Sequence, residues 1–347
     1  MSPRVSVVMP VYNCVDYIKE SVESILAQTF TDFELLIIDD HSTDGTYEYV
    51  QHVSDPRIVL IRKPQNSGYA KSLNMGLDRA KGTYIARMDG DDIALPERFA
   101  KQVACMDNDP EMLVCGSSYQ LLGTDTIVQM PLTYEAAKVV SIMNVPVAHP
   151  TAFIRRSVLI QHQLRYNEQL EPTEDYDLWT RILDIGKIEN LPEVLLLYRR
   201  HSEQESITKY NRLIAAAEGI RERQLKKLLT FENKNYSVLF AIDVLTKQPL
   251  VIDTGSIKKI VQLLTDMHKN NLIKKRYDDS LLCNFLREIW LFYIPQFNDP
   301  RLQDIKLLSQ FRESEITRMG LIFDLKLLKK MVVFFKSVVT AANKNSL

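Results

Sequence analysis

The chain has almost no net charge: 43 Lys and Arg against 44 Asp and Glu leave −1 over 347 residues. With no overall cationic field to attract a polyanion, a nucleic-acid partner is not expected. Cysteine is scarce as well. Cys14, Cys105, Cys115 and Cys283 are scattered, without a close C-x-x-C pair of the zinc or redox type, and read as buried thiols in a reducing compartment. No apolar run approaches the roughly 18 residues that span a bilayer. Met1-Ser2-Pro3-Arg4 leads directly into Val5-Ser6-Val7-Val8-Met9, with no signal-peptide h-region. These absences together argue against secretion and predict a protein that is soluble or peripheral to a membrane. Internal repeats and low-complexity stretches are missing too. So are the Walker spacing and the G-x-G-x-x-G fingerprint, which leaves a P-loop NTPase or a Rossmann dehydrogenase unsupported.

What the chain does have is 46% hydrophobic residues in a length beyond one average domain, which predicts a larger and a smaller domain. Through about residue 130, short apolar runs alternate with helical spacing, the βαβα signature of a mostly parallel sheet with flanking helices. Strands are predicted at Val5 to Met9, Glu34 to Asp39, Ile58 to Arg62, Thr83 to Met88 and Met112 to Cys115. Helical spacing lies between them, the last stretch starting at Pro96, where a missing N–H costs nothing. From Thr151 to Tyr198 the pattern is mixed, with a strand at Thr151 to Ile154, a helix at Asp175 to Ile185 and separate strands near Lys187 to Asn190 and Val194 to Tyr198. After about Ser206 only helices are predicted, the last at Leu321 to Ala341. The expected domains are therefore 1–205 and an all-helical 206–347.

Three carboxylates stand at the end of one predicted strand: Asp89, Asp91 and Asp92 in Arg87-Met88-Asp89-Gly90-Asp91-Asp92. Open α/β sheets bind ligands at that edge. Like charges this close repel, and become favourable when a hard divalent cation sits between them and completes its shell with phosphate oxygens. Taken alone, an acidic turn capping the helix at Pro96 explains the acids equally well. An EF-hand does not, because the fifth, sixth and twelfth positions from Asp89 are Ile93, Ala94 and Ala100.

Two further strand ends carry polar, turn-forming residues, Met9-Pro10-Val11-Tyr12-Asn13 and Ile38-Asp39-Asp40-His41-Ser42-Thr43-Asp44-Gly45. In such a cleft an aromatic ring can stack on a nucleobase and a carboxylate can accept its imino hydrogen. Helix capping would also use Asp39 and Asp40, but Ser42, Thr43 and Asp44 are better caps and leave these acids for another task. After the third strand, Asn66-Ser67-Gly68-Tyr69-Ala70-Lys71 places a glycine and a lysine at a helix start, where a phosphate can approach closely.

With these motifs in order, the chain resembles the family 2 glycosyltransferases of the GT-A fold from about Val5 to Ser206. The series continues through His149-Pro150-Thr151, Glu174-Asp175-Tyr176-Asp177-Leu178-Trp179 and Tyr198-Arg199-Arg200-His201. The resemblance implies a nucleotide-diphosphate-sugar donor, most commonly a UDP-sugar, and an inverting transfer to a saccharide or lipid-linked saccharide acceptor. The product would be a hexosyl or N-acetylhexosaminyl linkage in a surface polysaccharide, and the location the resemblance implies is cytoplasmic, where nucleotide sugars are, including peripherally at the inner face of the membrane. It implies that Pro10, Tyr12 and Asp40 hold the nucleoside, with Asn13, Asn66, Gly68 and Gly90 completing the donor site and Lys71 near the phosphates. Asp89 and Asp91 become the Asp-x-Asp pair for Mn2+ or Mg2+, with Asp91 the direct ligand, Asp92 supporting and His201 close to the metal or diphosphate. Asp175 matches the family's general base, while Glu174 and Asp177 remain alternatives. Many relatives carry Arg before the asparagine matching Asn74, where this chain has Leu73.

Two other classes compete. A Mg2+-dependent phosphatase or phosphotransferase needs an early aspartyl nucleophile with a downstream Lys, and Asp39-Asp40 lacks the spacing. A non-catalytic nucleotide-sugar-binding protein of the same fold would not need Asp40, Asp89, Asp91 and Asp175 together. In the last predicted helix, Leu325-Lys326-Leu327-Leu328-Lys329-Lys330-Met331-Val332-Val333-Phe334-Phe335-Lys336 fits peripheral membrane contact through anionic lipids. A helix packed on its own domain fits as well.

Overall fold

The computed structural model describes residues 2–201, 210–250 and 254–293. They form two compact units that divide between Gln224 and Leu225. The predicted helix at Leu321 to Ala341 lies outside the described residues.

The first unit is built on one sheet. Strands β1 (Val5–Val11), β2 (Phe33–Asp39), β3 (Ile58–Arg62) and β4 (Tyr84–Arg87) are parallel in the spatial order β3-β2-β1-β4. Beyond β4 come β8 (Phe153–Arg155), β6 (Met112–Leu121), β9 (Lys187–Tyr198) and the two-residue β5 (Ile93–Ala94), while β7 (Ile127–Val128) pairs with β6. β8 runs antiparallel between β4 and β6, so direction changes in the middle of the sheet.

β1 is buried throughout, and its sequence is apolar except at Ser6, whose hydroxyl donates to Glu34. A parallel strand covered by helices on both faces has no solvent side. Side chains alternate between the two faces. Val5, Val7, Met9 and Val11 join Ile18, Val22 and Ile25 of α1 (Ile18–Leu26) in one core. On the other face, Val8 meets Ala70 and Leu73 of α3 (Tyr69–Arg79) and the core that holds Trp179 of α7 (Glu174–Ile182). Pro10 is tolerated in β1 because the ladder to β4 ends at Val8, which pairs with Arg87, so its missing N–H leaves no β4 carbonyl short of a donor.

β1, β2 and β4 stop at Val11, Asp39 and Arg87, and their polar extensions meet at one edge of the sheet. β9 is one continuous strand where the sequence suggests two. Its pairing with β6 shifts between Ser117 and Ser118, which places Pro192 and Glu193 in a bulge. Helices α5 (Tyr134–Val140) and α6 (Arg156–Gln161) add to those expected from the sequence.

Every described element of the second unit is helical: the end of α8 (Tyr210–Leu228), then α9 (Val238–Leu245), α10 (Thr254–Lys274) and α11 (Asp279–Tyr293). Among the described residues no helix is long and apolar enough to cross a membrane. Of the four cysteines, which are free thiols, only Cys115 is fully buried.

Candidate active site

A cleft of about 860 Å3 opens at the carboxyl edge of the sheet. Of the residues singled out from sequence, Pro10, Tyr12, Asn13, Asp40, Asn66, Gly68, Asp89, Gly90, Asp91, Asp175 and His201 all line it. Lys71 does not. It is exposed on α3, while its neighbours Ala70, Ser72 and Leu73 face inward.

Two strand-end loops form one wall. Asn13 takes a left-handed backbone conformation (φ 46°), which Asn adopts more readily than most residues. From there its side-chain oxygen accepts from Thr43 N at 2.9 Å, and its own N–H donates to Ser42 Oγ at 3.0 Å. Tyr12 lines the cleft and is half exposed. Asp39 and Asp40 are both engaged. Asp39 accepts from Ser42 N and pairs with Arg62, and so is spent on the turn.

Asp40 accepts from Ser67 N at 2.9 Å and Gly68 N at 3.0 Å, and it pairs with Lys63 Nζ at 2.7 Å. Lys63 is buried and also donates to Ser72 Oγ and to Gly68 O. These contacts fix the loop entering α3. Gly68 sits there at φ 102° and ψ 154°, a region only glycine occupies without strain, and an added Cβ would lie 3.0 Å from Glu171 Oε2. Gly68→Ala is expected to cost about 1–3 kcal/mol and to weaken any ligand held by this loop. Thermal unfolding and ligand titration of the variant check both.

Across the cleft stands the acidic cluster. One carboxylate oxygen from each of Asp89, Asp91 and Asp92 lies within 4.8 Å of the others. Gly90 lets the turn close against β1, since a Cβ would come within 2.9 Å of Val11 Cγ1. Asp89 pairs with the buried Arg87 guanidinium and accepts from Tyr69 OH at 2.9 Å. Asp91 Oδ2 is 3.0 Å from His201 Nε2. Asp92 Oδ1 accepts from Arg199 N at 2.8 Å, while its buried Oδ2 has no hydrogen-bond partner among the described residues.

Burial first, then the charge of Asp89, pushes the Asp91 carboxyl above its ordinary range, and burial with both neighbouring acids pushes Asp92 well above it. Three converging carboxylates with one orphaned oxygen fit a hard divalent cation, which favours oxygen ligands and would remove the repulsion.

The remaining wall is the start of α7. Asp175 keeps partial exposure to the cleft, and its Oδ1 accepts from Tyr176 N at 2.7 Å. Desolvation pushes its carboxyl up to about 6, held back by that N–H and by Arg87. Glu174 is fully buried and is pushed up to about 8, by burial and then by Asp175. Of the two, Asp175 ionises first. His149 is enclosed by Tyr69, Tyr166 and Trp179, with Nε2 3.0 Å from Tyr166 OH, and burial with Arg87 drives its pKa well below the ordinary value. It is a neutral structural histidine on the cleft wall.

Three residues of the site escaped the sequence reading: Lys63, Arg87 and Glu171. Lys63 and Arg87 share a signal, a basic residue at the inner end of an apolar strand, where a solvated side chain is not expected. Glu171, whose Oε2 accepts from Ala70 N at 3.2 Å, has no local signal. Residues of α8 also reach the cleft: Leu213, Ala217 and Arg221 line it, and Ala217 and Ile220 pack on Tyr176.

Comparisons with known proteins identify the family. The model of glycosyl transferase family 2 matches residues 6–162. The putative glycosyltransferase EpsE of Bacillus subtilis is 37% identical over 215 residues, covering 58% of this chain and 74% of EpsE. The UDP-Glc:alpha-D-GlcNAc-diphosphoundecaprenol beta-1,3-glucosyltransferase WfaP of Escherichia coli is 30% identical over 227 residues, covering 64% of this chain and 87% of WfaP. Among solved structures, S. aureus TarS 1-349 in complex with UDP-GlcNAc superposes with a TM-score of 0.53 at 19% identity, over 83% of this chain and 88% of that one. The fold is thus the GT-A type expected from sequence, a sheet with flanking helices followed by a helical region. The chain belongs to glycosyl transferase family 2 and is a glycosyltransferase.

Proposed function

We propose that the protein is a metal-dependent, inverting glycosyltransferase that moves a sugar from a UDP-sugar to a hydroxyl of a saccharide or lipid-linked saccharide, in the synthesis of a surface polysaccharide. The observation that carries this reading is that one cleft is lined by Asp89 and Asp91 of the acidic cluster and also by Asp175. WfaP, named for a UDP-glucose donor and a diphosphoundecaprenol-linked acceptor, supports both the donor and the acceptor class. In this reading residues 1–205 carry catalysis and 206–347 form a helical domain.

Tyr12 stacks on the nucleobase at the mouth of the cleft, and the loop held by Asp40 and Lys63 packs beside the nucleoside. Asp89 and Asp91, with His201 beside them, would hold Mn2+ or Mg2+, whose charge offsets that of the leaving nucleoside diphosphate as a Lewis acid. Asp175 accepts the proton of the incoming hydroxyl as that oxygen bonds to the anomeric carbon. The carbon–oxygen bond to the diphosphate breaks in the same step, and its electron pair leaves with the diphosphate. Attack opposite the leaving group, with one base and no covalent intermediate, inverts the anomeric centre. The exposed Lys71 is not part of this reaction.

Slow hydrolysis of the donor tests the reading without a known acceptor. With UDP-Glc or UDP-GlcNAc and Mn2+, proton NMR is expected to show the β-anomer of the free sugar first. Appearance of the α-anomer first would refute inversion.

A further inference from the structure

The second unit brings three metal-ligating groups of different chemistry to one place. His268 stands in α10, and Asp279 and Cys283 stand in the first turns of α11. Asp279 and Cys283 are one helical turn apart, so they share a face. A ligand atom from each of the three lies within 4.8 Å of the others, and His268 Nε2 is 3.3 Å from Asp279 Oδ1.

The geometry is held from outside the cluster. Leu264 and Met267 of α10 and Leu282 and Leu286 of α11 are buried, so the helices that carry the ligands are fixed by packing. The loop 275–278 between them is tied down by the buried Asn271, whose amide donates to Tyr277 O at 3.1 Å and accepts from Tyr277 N at 3.0 Å. The neighbouring Asp278 is occupied as a cap, accepting from Ser280 Oγ and Leu281 N. This leaves one imidazole, one carboxylate and one thiol as the converging set.

We propose that His268, Asp279 and Cys283 form a transition-metal site of the Zn2+ class, with water as the fourth ligand, clamping α10 to α11. Imidazole and thiolate select zinc-like cations over Mg2+ or Ca2+, which prefer oxygen. One carboxylate and one thiolate balance a dication, and the thiol proton passes to solvent on binding. The site differs in kind from the cluster at Asp89, Asp91 and Asp92, which offers oxygen alone.

Co2+ titrated into the full chain separates the two sites, because only a thiolate ligand gives an intense near-ultraviolet sulfur-to-cobalt charge-transfer band. The band is expected in the wild type, to be displaced by Zn2+, to be lost in Cys283→Ser, and to persist in Asp91→Asn and Cys14→Ser. His268→Gln keeps the thiol and serves if Cys283→Ser fails to fold; it should still lose tight Co2+ binding with an unchanged far-ultraviolet circular dichroism spectrum. No band in the wild type, a band retained in Cys283→Ser, a band lost in Cys14→Ser, or an unchanged titration in His268→Gln would each overturn the assignment.

Discussion

Asp175→Asn is expected to slow sugar transfer by about 100- to 10,000-fold, the range of a general base, while leaving donor affinity near that of the wild type. The amide keeps the shape and the hydrogen bond from Tyr176 N but cannot take the acceptor's proton. The rate of the wild-type protein should rise with pH and level off above about 6, since the carboxyl pushed to that value must be ionised to act as base. Were Glu174 the base, the rise would instead continue to about 8, and Glu174→Gln would remove activity. The stability effect has the opposite sign. A carboxyl whose folded pKa is raised above its unfolded value costs stability when ionised, so folding is favoured as pH falls through 6 toward the ordinary Asp range. At neutral pH Asp175→Asn removes that cost, and its melting temperature should equal or exceed the wild type's. Initial rates and melting curves across pH 5–9 check both signs.

Lys63→Met should give the largest stability loss in the first unit, about 3–5 kcal/mol, the usual cost of removing one partner of a buried ion pair. The Lys63 and Asp40 side chains are only 2% and 6% exposed, and without the ammonium Asp40 keeps just the N–H groups of Ser67 and Gly68. The same lysine also holds Gly68 O and Ser72 Oγ, so the entry to α3 loses three contacts together. A lower urea midpoint for the first unit is the expected result. Adding Asp40→Asn should recover part of the loss, because the orphaned charge is gone. If Lys63→Met unfolds at the wild-type midpoint, the pair does not hold the loop.

The sequence was legible wherever periodicity and chemistry coincided. β1 to β4 announced themselves as apolar runs, and the acids beyond β4 stood where a like-charge cluster needs a partner. What it hid was long-range or directional. Nothing in Phe153-Ile154-Arg155 tells a strand that it will run antiparallel. Pro192 made β9 look like two strands, because the bulge that absorbs it depends on the partner β6. Lys63 is held by Asp40, whose place beside it depends on the loop after β2, and Glu171 reaches Ala70 from 101 residues away. Lys71 has the charge and the position beside a helix start that suit a phosphate, but its place on α3 turns it to solvent. Residue type alone does not say which side of a helix faces a cleft.

In the proposed reaction the acidic cluster makes nucleotide binding depend on a divalent cation. Calorimetric titration of UDP into the full-length protein with and without Mn2+ tests it most directly. Binding is expected with Mn2+, with little or none in its absence, and the Mn2+ effect should be lost in Asp91→Asn. Equal affinity with and without the cation, or a Mn2+ effect that survives Asp91→Asn, would contradict it.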